Sequence, residues 1–294
     1  MTSWRVVVNP TAGRGGDVEA RVAAAMTRRG IDHTLRISSS PEDITAIVAE
    51  GRGAGEDHFV AVGGDGTANL VVNAILSHEW PSPPTFAMLP AGSASDFVRT
   101  FALPGDIEDA SSHLVGDETC PVDVGVLTGA FGRRYFINAA NAGIAARTVI
   151  ESRRLPDRLG ARRYVIAFWS ALAKTAPARI HVDSDGTVIE SLAWNVVIAN
   201  GQYFGGAMNV APGAVPDDGR FDVQVFSGPR RSAPTIIRRV IRGTHLKHRG
   251  VRRTTGSEIT VRVPDEWIVE ADGEIVGTGA FTARILQNKL LLKI

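Results

Sequence analysis

An apolar run, Phe59-Val60-Ala61-Val62, passes directly into Gly63-Gly64-Asp65-Gly66-Thr67-Ala68-Asn69 and then into Leu70-Val71-Val72-Asn73-Ala74-Ile75-Leu76. The first run is β-branched and apolar and reads as a buried strand; the last has helical length. A strand, a tight glycine-rich turn and a helix entered through Thr67 aim backbone N–H groups at an anion. The glycines let the main chain approach a phosphate closely and adopt left-handed dihedrals where needed. Asp65 is out of place beside a phosphate unless a cation lies between them. The pattern therefore points to a Mg2+-nucleotide or a transferring phosphoryl group. A Gly-Asp-Gly hairpin turn is the alternative, and the helix-like run that follows argues against it.

The flanking sequence repeats the strand–loop–helix theme. Arg5-Val6-Val7-Val8 reads as a strand ending in Asn9-Pro10-Thr11-Ala12-Gly13, before a helix from Asp17 to Arg29. Ile31 to Ile37 forms a second strand, and Ser38-Ser39-Ser40-Pro41-Glu42 caps a helix from Asp43 to Glu50. Thr85-Phe86-Ala87-Met88-Leu89-Pro90 is a fourth strand, followed by Ala91-Gly92-Ser93-Ala94-Ser95-Asp96. Alternating strands and helices predict an open parallel sheet that binds ligands at the carboxyl ends of its strands. The polar loops at Asn9, Gly63 and Gly92 all fall on that edge, so one site built from three loops is expected.

Beyond about residue 122 the pattern changes. Short strands recur at Val122–Val126, Arg134–Asn138, Trp194–Asn200, Phe221–Phe226, Glu258–Val263, Trp267–Glu270 and Phe281–Ile285, with a helical interlude at Arg158–Lys174. This spacing predicts an antiparallel, β-rich second domain. The expected division is 1–122, an open Rossmann-like α/β domain, and 123–294, a sandwich-like β domain. The last residues are free to return to the first domain.

Composition narrows the class. With 294 residues the chain suits two domains. A net charge of +1 names no partner, and the single cysteine, Cys120, excludes an internal disulfide framework and fits a reducing cytosol. No stretch approaches the roughly 18 apolar residues of a membrane span, and the amino terminus leads directly into a strand, so a cytoplasmic protein is expected. Two segments are basic: Arg153 to Arg163, leading into Tyr164-Val165-Ile166-Ala167-Phe168-Trp169, and Arg230 to Arg253, which holds no carboxylate. In the latter, Ile236, Ile237, Val240 and Ile241 share one helical face and Arg238, Arg239 and Arg242 another. Such a helix can lie on an anionic membrane surface or be an ordinary packed helix with a solvated face. Nucleic acid is disfavoured, because no stacking aromatics are interleaved with the arginines. The β-rich edges leave a homodimer open.

No Walker motif, full dinucleotide fingerprint, His-Glu-x-x-His or nucleophile elbow is present. What remains is the Asn9, Asp65 and Gly92–Asp96 loops with Asp123, Asp217-Asp218-Gly219 and Asp272-Gly273-Glu274. Carboxylates dominate this set, as suits Mg2+ and phosphoryl transfer.

Asn-Pro-x-Ala-Gly after the first strand, Gly-Gly-Asp-Gly-Thr after the third and a late Asp-Gly-Glu together resemble the diacylglycerol kinase catalytic-domain family. That family includes soluble bacterial lipid kinases and sphingosine kinases. Gly-Gly-Asp-Gly-Thr alone also occurs in NAD kinases and phosphofructokinases; the combination, in order along the chain, is specific.

The resemblance implies an ATP- and Mg2+-dependent lipid kinase with its active site in the interdomain cleft. The expected substrate is diacylglycerol, converted to phosphatidic acid, at a peripheral membrane contact. It assigns Asn9, Pro10, Thr11, Ala12, Gly13, Ser39, Gly63, Gly64, Asp65, Gly66, Thr67, Asn69, Gly92 and Ser93 to ATP. Ser95 stands where the family has an asparagine. Asp65, Asp96 and Asp123 are expected around the catalytic Mg2+. Asp218 with the carbonyls of Val215 and Arg220 is expected to hold a structural Mg2+. Asp272 is the expected general base, with Glu274 orienting it. A soluble-metabolite kinase of the NAD-kinase type and a non-catalytic lipid- or nucleotide-binding relative are the alternatives.

Overall fold

The structure is a computed structural model that describes residues 3–10, 17–91, 95–159 and 162–294. The chain divides into two compact units, residues 1–124 with 287–294, and residues 125–286. The first is an α/β domain and the second is β-rich.

In chain order the α/β domain contains β1 (Trp4–Val8), α1 (Val18–Arg28), β2 (His33–Ile37), α2 (Pro41–Gly53), β3 (His58–Gly63), α3 (Asp65–Leu76), β4 (Thr85–Pro90), α4 (Asp96–Thr100) and α5 (Ile107–Ser112). Strand β1 lies between β2 and β3, and β3 pairs with β4, all in parallel. Parallel strands need crossover helices, which cover the sheet faces and bury the strands. β1 and β4 are accordingly buried along their whole length. Val6, Val8, Val60, Val62, Ala87 and Leu89 pack against Val22 and Met26 of α1 and Ile107 of α5. Helix α2 starts earlier than its composition suggests, because Ser40 Oγ accepts the Asp43 N–H at 3.2 Å and Pro41 is tolerated in a first turn. The domain is completed by the start of β5 (Thr119–Gly129) and the end of β17 (Phe281–Lys293), where Leu291 and Leu292 pair in parallel with Thr85 and Phe86 of β4.

The β-rich domain contains β6 (Gly132–Phe136), β7 (Ala139–Gly143), α6 (Ile144–Arg153), α7 (Arg162–Lys174), β8 (Ala178–Ser184), β9 (Thr187–Ala199), the short β10 (Tyr203–Phe204) and β11 (Met208–Asn209), β12 (Phe221–Ser227), α8 (Ala233–Ile241), β13 (Val251–Gly256), β14 (Glu258–Arg262), β15 (Ile268–Ala271) and β16 (Glu274–Thr278). Its pairing is antiparallel: β9 takes β7, β8 and β12, while β15 lies between β7 and β16. The core around β9 includes Phe136 stacked on Phe221, centroids 5.5 Å apart and planes 19° apart. Gly125 is required there, since a Cβ would overlap the Phe136 ring.

Strand β7 and helix α6 are absent from the sequence expectation. Ala139-Ala140-Asn141-Ala142-Gly143 has no β-branched or aromatic residue to mark a strand; the pairs on both sides make it one. Helix α8 packs Ala233, Ile236 and Val240 inward and leaves Arg238 and Arg239 exposed. The larger exposed apolar surface lies on α7, where Tyr164, Val165, Ile166 and Trp169 face outward while Ala167, Ala171 and Leu172 are buried. Among the described residues, no helix is long and apolar enough to cross a membrane.

The Phe136–Phe221 stack sits in a fully buried environment, so Phe136→Ala is expected to lower unfolding stability by about 3–5 kcal/mol. Urea unfolding followed by tryptophan fluorescence measures this.

Candidate functional site

Three loops of the α/β domain meet at the carboxyl edge of the parallel strands. Asn9, just after β1, donates Nδ2 to Thr67 Oγ1 at 3.1 Å, and its main-chain N–H reaches Val62 O at 3.1 Å. Thr67 in turn lies so close to Gly63 that a Cβ on Gly63 would overlap its hydroxyl. Only glycine lets the end of β3 approach α3 this closely. Gly64 is the N-cap of α3 and supplies no side-chain cap, and Asp65 and Gly66 form the first turn with Thr67. An N-terminus of this kind favours a phosphate through its main-chain donors and helix dipole.

Asp65 is turned toward the third loop. Its carboxylate accepts Ser95 Oγ at 2.6 Å, the Asp96 N–H at 2.9 Å and the Phe97 N–H at 3.1 Å. Ser95 also caps α4, accepting the Val98 N–H at 3.2 Å. Ser95, a departure from the family pattern, is thus the residue that ties the Asp65 turn to α4. Asp96 and Asn69 are buried, and Pro10 is exposed. Ser39 lies after β2, and both its N–H and its hydroxyl are given to Asp43 Oδ2, at 2.8 and 3.0 Å. It is part of the α2 cap. Thr11, Ala12, Gly13, Gly92 and Ser93 lie outside the described residues.

Asp123, on β5, is 1% exposed and accepts the Asn288 N–H at 3.0 Å, which holds the returning C-terminal strand. Among the described residues, no group of three or more His, Cys, Asp or Glu side chains is arranged to hold a metal ion. Asp65, Asp96 and Asp123 therefore do not form a ready-made cage. In the β-rich domain Asp218 is exposed; its Oδ1 accepts the Arg220 N–H at 2.9 Å, and its own N–H reaches Val215 O at 3.4 Å. The Asp218 carboxylate and the Val215 carbonyl are thus both engaged within this turn, by the Arg220 and Asp218 N–H groups. His245 is a core residue, stacked on Phe226 and bonded to Gln224 Oε1 at 2.8 Å, with burial pushing its pKa down.

Asp272 and Gly273 are the two-residue loop between β15 and β16. Both have positive φ, 47° and 85°. Asp-Gly is the residue pair such a turn favours. The Asp272 carboxylate reaches across to three successive main-chain donors before and at the start of β7. Oδ2 accepts the Ile137 N–H at 2.8 Å, and Oδ1 accepts those of Asn138 and Ala139 at 3.0 and 2.9 Å. Glu274 pairs with Arg153 of α6 at 2.9 Å, and the same guanidinium donates to Gly273 O at 3.1 Å.

Residues 3–127 match the diacylglycerol kinase catalytic domain, and residues 138–293 match the YegS C-terminal NAD kinase beta sandwich-like domain. The chain belongs to the diacylglycerol kinase catalytic-domain family. A protein of Bacillus subtilis (strain 168) named diacylglycerol kinase is 26% identical over 284 residues, covering 94% of this chain and 91% of its own length. Another of that name, from Staphylococcus haemolyticus, is 28% identical over 279 residues, or 93% of this chain and 82% of its own. A Citrobacter koseri protein named "Probable lipid kinase YegS-like" is 25% identical over 285 residues, 96% and 93% of the two chains. The crystal structure of a diacylglycerol kinase from Bacillus anthracis str. Sterne shares the fold with a TM-score of 0.74, over 99% of this chain and 96% of that one, at 21% identity.

Within this family member, sequence reading passed over Glu270. It is 2% exposed, and burial pushes its carboxyl up to about 7, aided by the negative charges of Asp272 and Glu274. Its partners are the Gly273 N–H on Oε1 and Asn141 Nδ2 on Oε2, at 2.8 Å for the latter. The signal was a lone acid within an otherwise apolar strand, Trp267-Ile268-Val269-Glu270-Ala271.

Two outcomes are expected. Ser95→Ala removes the α4 cap and one donor to Asp65, and should cost about 1–2 kcal/mol in chemical denaturation. A Glu pKa raised on folding means that the unfolded chain releases its proton first as pH rises from 4.5 toward 7. Stability then falls across that window, by about 3 kcal/mol in total. Denaturation at several pH values should show this decline in the wild type and lose it in Glu270→Gln.

Proposed function

We propose that this chain is an ATP- and Mg2+-dependent lipid kinase, transferring the γ-phosphate to a primary hydroxyl of a lipid, with diacylglycerol as the substrate and phosphatidic acid as the product. The observation that carries the reading is the β3–α3 turn: an N-terminus without a side-chain cap, fixed from both sides by Asn9–Thr67 and by Asp65 with Ser95, Asp96 and Phe97. A preorganised row of main-chain donors is what a nucleotide phosphate needs. Its kinase-named relatives support the reaction class.

Phosphoryl transfer asks the protein for alignment, charge neutralisation and a proton acceptor. Asn9 and the Gly63–Thr67 turn would hold the phosphates. Asp272 would take the proton as the lipid oxygen bonds to the γ-phosphorus and the β–γ bridging bond breaks, releasing ADP. Its carboxylate is oriented by the Ile137, Asn138 and Ala139 N–H groups, which fix the direction it presents to the hydroxyl. Glu274, braced by Arg153, would orient the turn. The donor set suits a hydrated Mg2+ that arrives with the nucleotide, since this ion usually retains water and takes one or two carboxylates with phosphate oxygens. Asp96 and Asp123 are the acids that would hold it through water. The turn at 215–220 would hold a second, structural ion. Mg2+ supplies charge neutralisation at the phosphates.

Lipid substrates place such an enzyme at a membrane, here the cytoplasmic face. The exposed Tyr164, Val165, Ile166 and Trp169 of α7 offer apolar anchors, and Arg163 lies over the Tyr164 ring at 5.3 Å. Arg238, Arg239 and Arg242 add charge for anionic lipid. A soluble-metabolite kinase of the NAD-kinase type is the second reading. It is supported by the likeness of residues 138–293 to an NAD kinase beta sandwich-like domain.

Labelled phosphate from ATP is expected to appear in detergent-dispersed diacylglycerol with wild-type protein and to be lost by at least about 100-fold in Asp272→Asn. Label on NAD in lipid-free buffer, and none on lipid, would favour the second reading. Replacing Arg238, Arg239 and Arg242 together should weaken binding to phosphatidylglycerol vesicles by up to about 3 kcal/mol at low salt. Unchanged binding at moderate salt would remove α8 from the membrane contact.

A further inference from the structure

Glu270 is too buried to meet a substrate, yet it is tied to the turn that carries Asp272. That turn places two residues in succession at positive φ, the first of them a non-glycine, so its shape depends on what its polar groups bond to. Both of its N–H groups are satisfied from outside the loop. That of Asp272 reaches Ala139 O at 2.9 Å, and that of Gly273 reaches Glu270 Oε1. Glu270 is in turn opposite Asn141 in the β15–β7 ladder and accepts its Nδ2. Asn141 Oδ1, buried beside it, has no hydrogen-bond partner among the described residues. That amide can therefore rotate and present its oxygen when the carboxyl carries a proton.

We propose that Glu270 is a positioning residue for Asp272: its buried carboxyl, bonded to the Gly273 N–H and to Asn141 on β7, fixes the Asp-Gly turn that presents Asp272 to the acceptor hydroxyl. This rests on the kinase reading given above. Glu270 acts through the turn, not on the reacting atoms. The charged groups facing it are Asp272 and Glu274 of its own hairpin and, from α6, Arg153, which bonds Gly273 O and Glu274. Strand β6, also packed on β15, carries Arg133 and Arg134. Ionised Glu270 is a stronger acceptor for the Gly273 N–H than the protonated acid and holds the turn more firmly. The ionised form is the more active one.

The test uses the full chain as wild type, Glu270→Gln and Glu270→Ala, with ATP and dispersed diacylglycerol. The wild-type kcat should rise roughly three- to tenfold through about pH 7. Glu270→Gln, which keeps an acceptor for Gly273 but cannot ionise, should retain KM for ATP and stay at the low-pH level. Glu270→Ala should lose roughly 10- to 100-fold in kcat with little change in KM for ATP. Superimposable kcat–pH profiles for wild type and Glu270→Gln, or a loss in Glu270→Ala confined to KM, would overturn the proposal. A second measurement needs no activity. Amide exchange over residues 134–140, whose N–H groups bind Asp272, should accelerate in Glu270→Ala and return to the wild-type rate in Glu270→Gln. Unchanged exchange would overturn the role of Glu270 whatever the reaction, whereas a wild type that phosphorylates no lipid counts against the kinase reading alone. Should Glu270→Ala fail to fold, the Glu270→Gln pH profile decides.

Discussion

The Asp65 carboxylate connects two loops that the parallel sheet only brings near each other. Strand pairing puts the ends of β1, β3 and β4 on one edge, but it does not set how their loops face. The three donors from Ser95, Asp96 and Phe97 do, and they converge on a single side chain in the first turn of α3. A carboxylate accepting main-chain N–H groups at a helix start is favoured by hydrogen bonding and by the helix dipole together. The acid that looks misplaced beside a phosphate thus has a structural occupation. Its charge serves α4 first, and any effect on a bound cation would be exerted from that fixed position.

The architecture of the α/β domain was legible because periodicity and punctuation agreed there. Phe59–Val62 into Gly63-Gly64 and Thr85–Pro90 are strands bounded by glycine and proline, and their buried pattern leaves no ambiguity of face. The β-rich domain was legible as a class and less so in detail. Val223, Val225, Ile259 and Val261 announce their strands, whereas Ala139–Gly143 is a strand because of its neighbours. Small side chains let β7 sit between β9 and β15, and no local preference records that. The residue pattern predicts a C-terminal strand ending near Ile285, yet β17 continues to Lys293, where Leu290 and Leu292 are buried and Leu291 pairs with Thr85. Pairing with β4 lies too far along the chain for a window of residues to reveal.

The site residues divide in the same way. Motifs identify residue types at fixed spacing, and Asn9, Thr67, Asp65 and Asp96 do lie on contacting or adjoining loops. What spacing cannot express is which lone pairs are already used. Ser39 spends its hydroxyl on Asp43, and Asp123 spends an oxygen on Asn288. Ser95, which the family pattern marks as a loss, gains a role because a hydroxyl can donate to Asp65 and accept from Val98 at once, geometry open to a short side chain at an N-cap.

Glu270 and Asp272 lie two residues apart on one hairpin and differ in everything that governs a carboxyl group. Asp272 sits at the tip, partly exposed, with three N–H donors that suit its negative charge. Glu270 sits in the strand, sealed from water, with one main-chain donor and one amide, and its ionisation is opposed by the acids that follow it. Burial alone would make such a group a liability, because an apolar residue at position 270 would avoid the desolvation cost. An apolar residue would also leave the Gly273 N–H without its acceptor. The hairpin needs that amide satisfied if Asp272 is to hold a left-handed conformation, so the cost of burying Glu270 is tied to the placement of its neighbour. A buried acid that weakens the fold near neutral pH and secures the geometry of a half-buried one is what a functional turn, rather than a merely connecting one, would require.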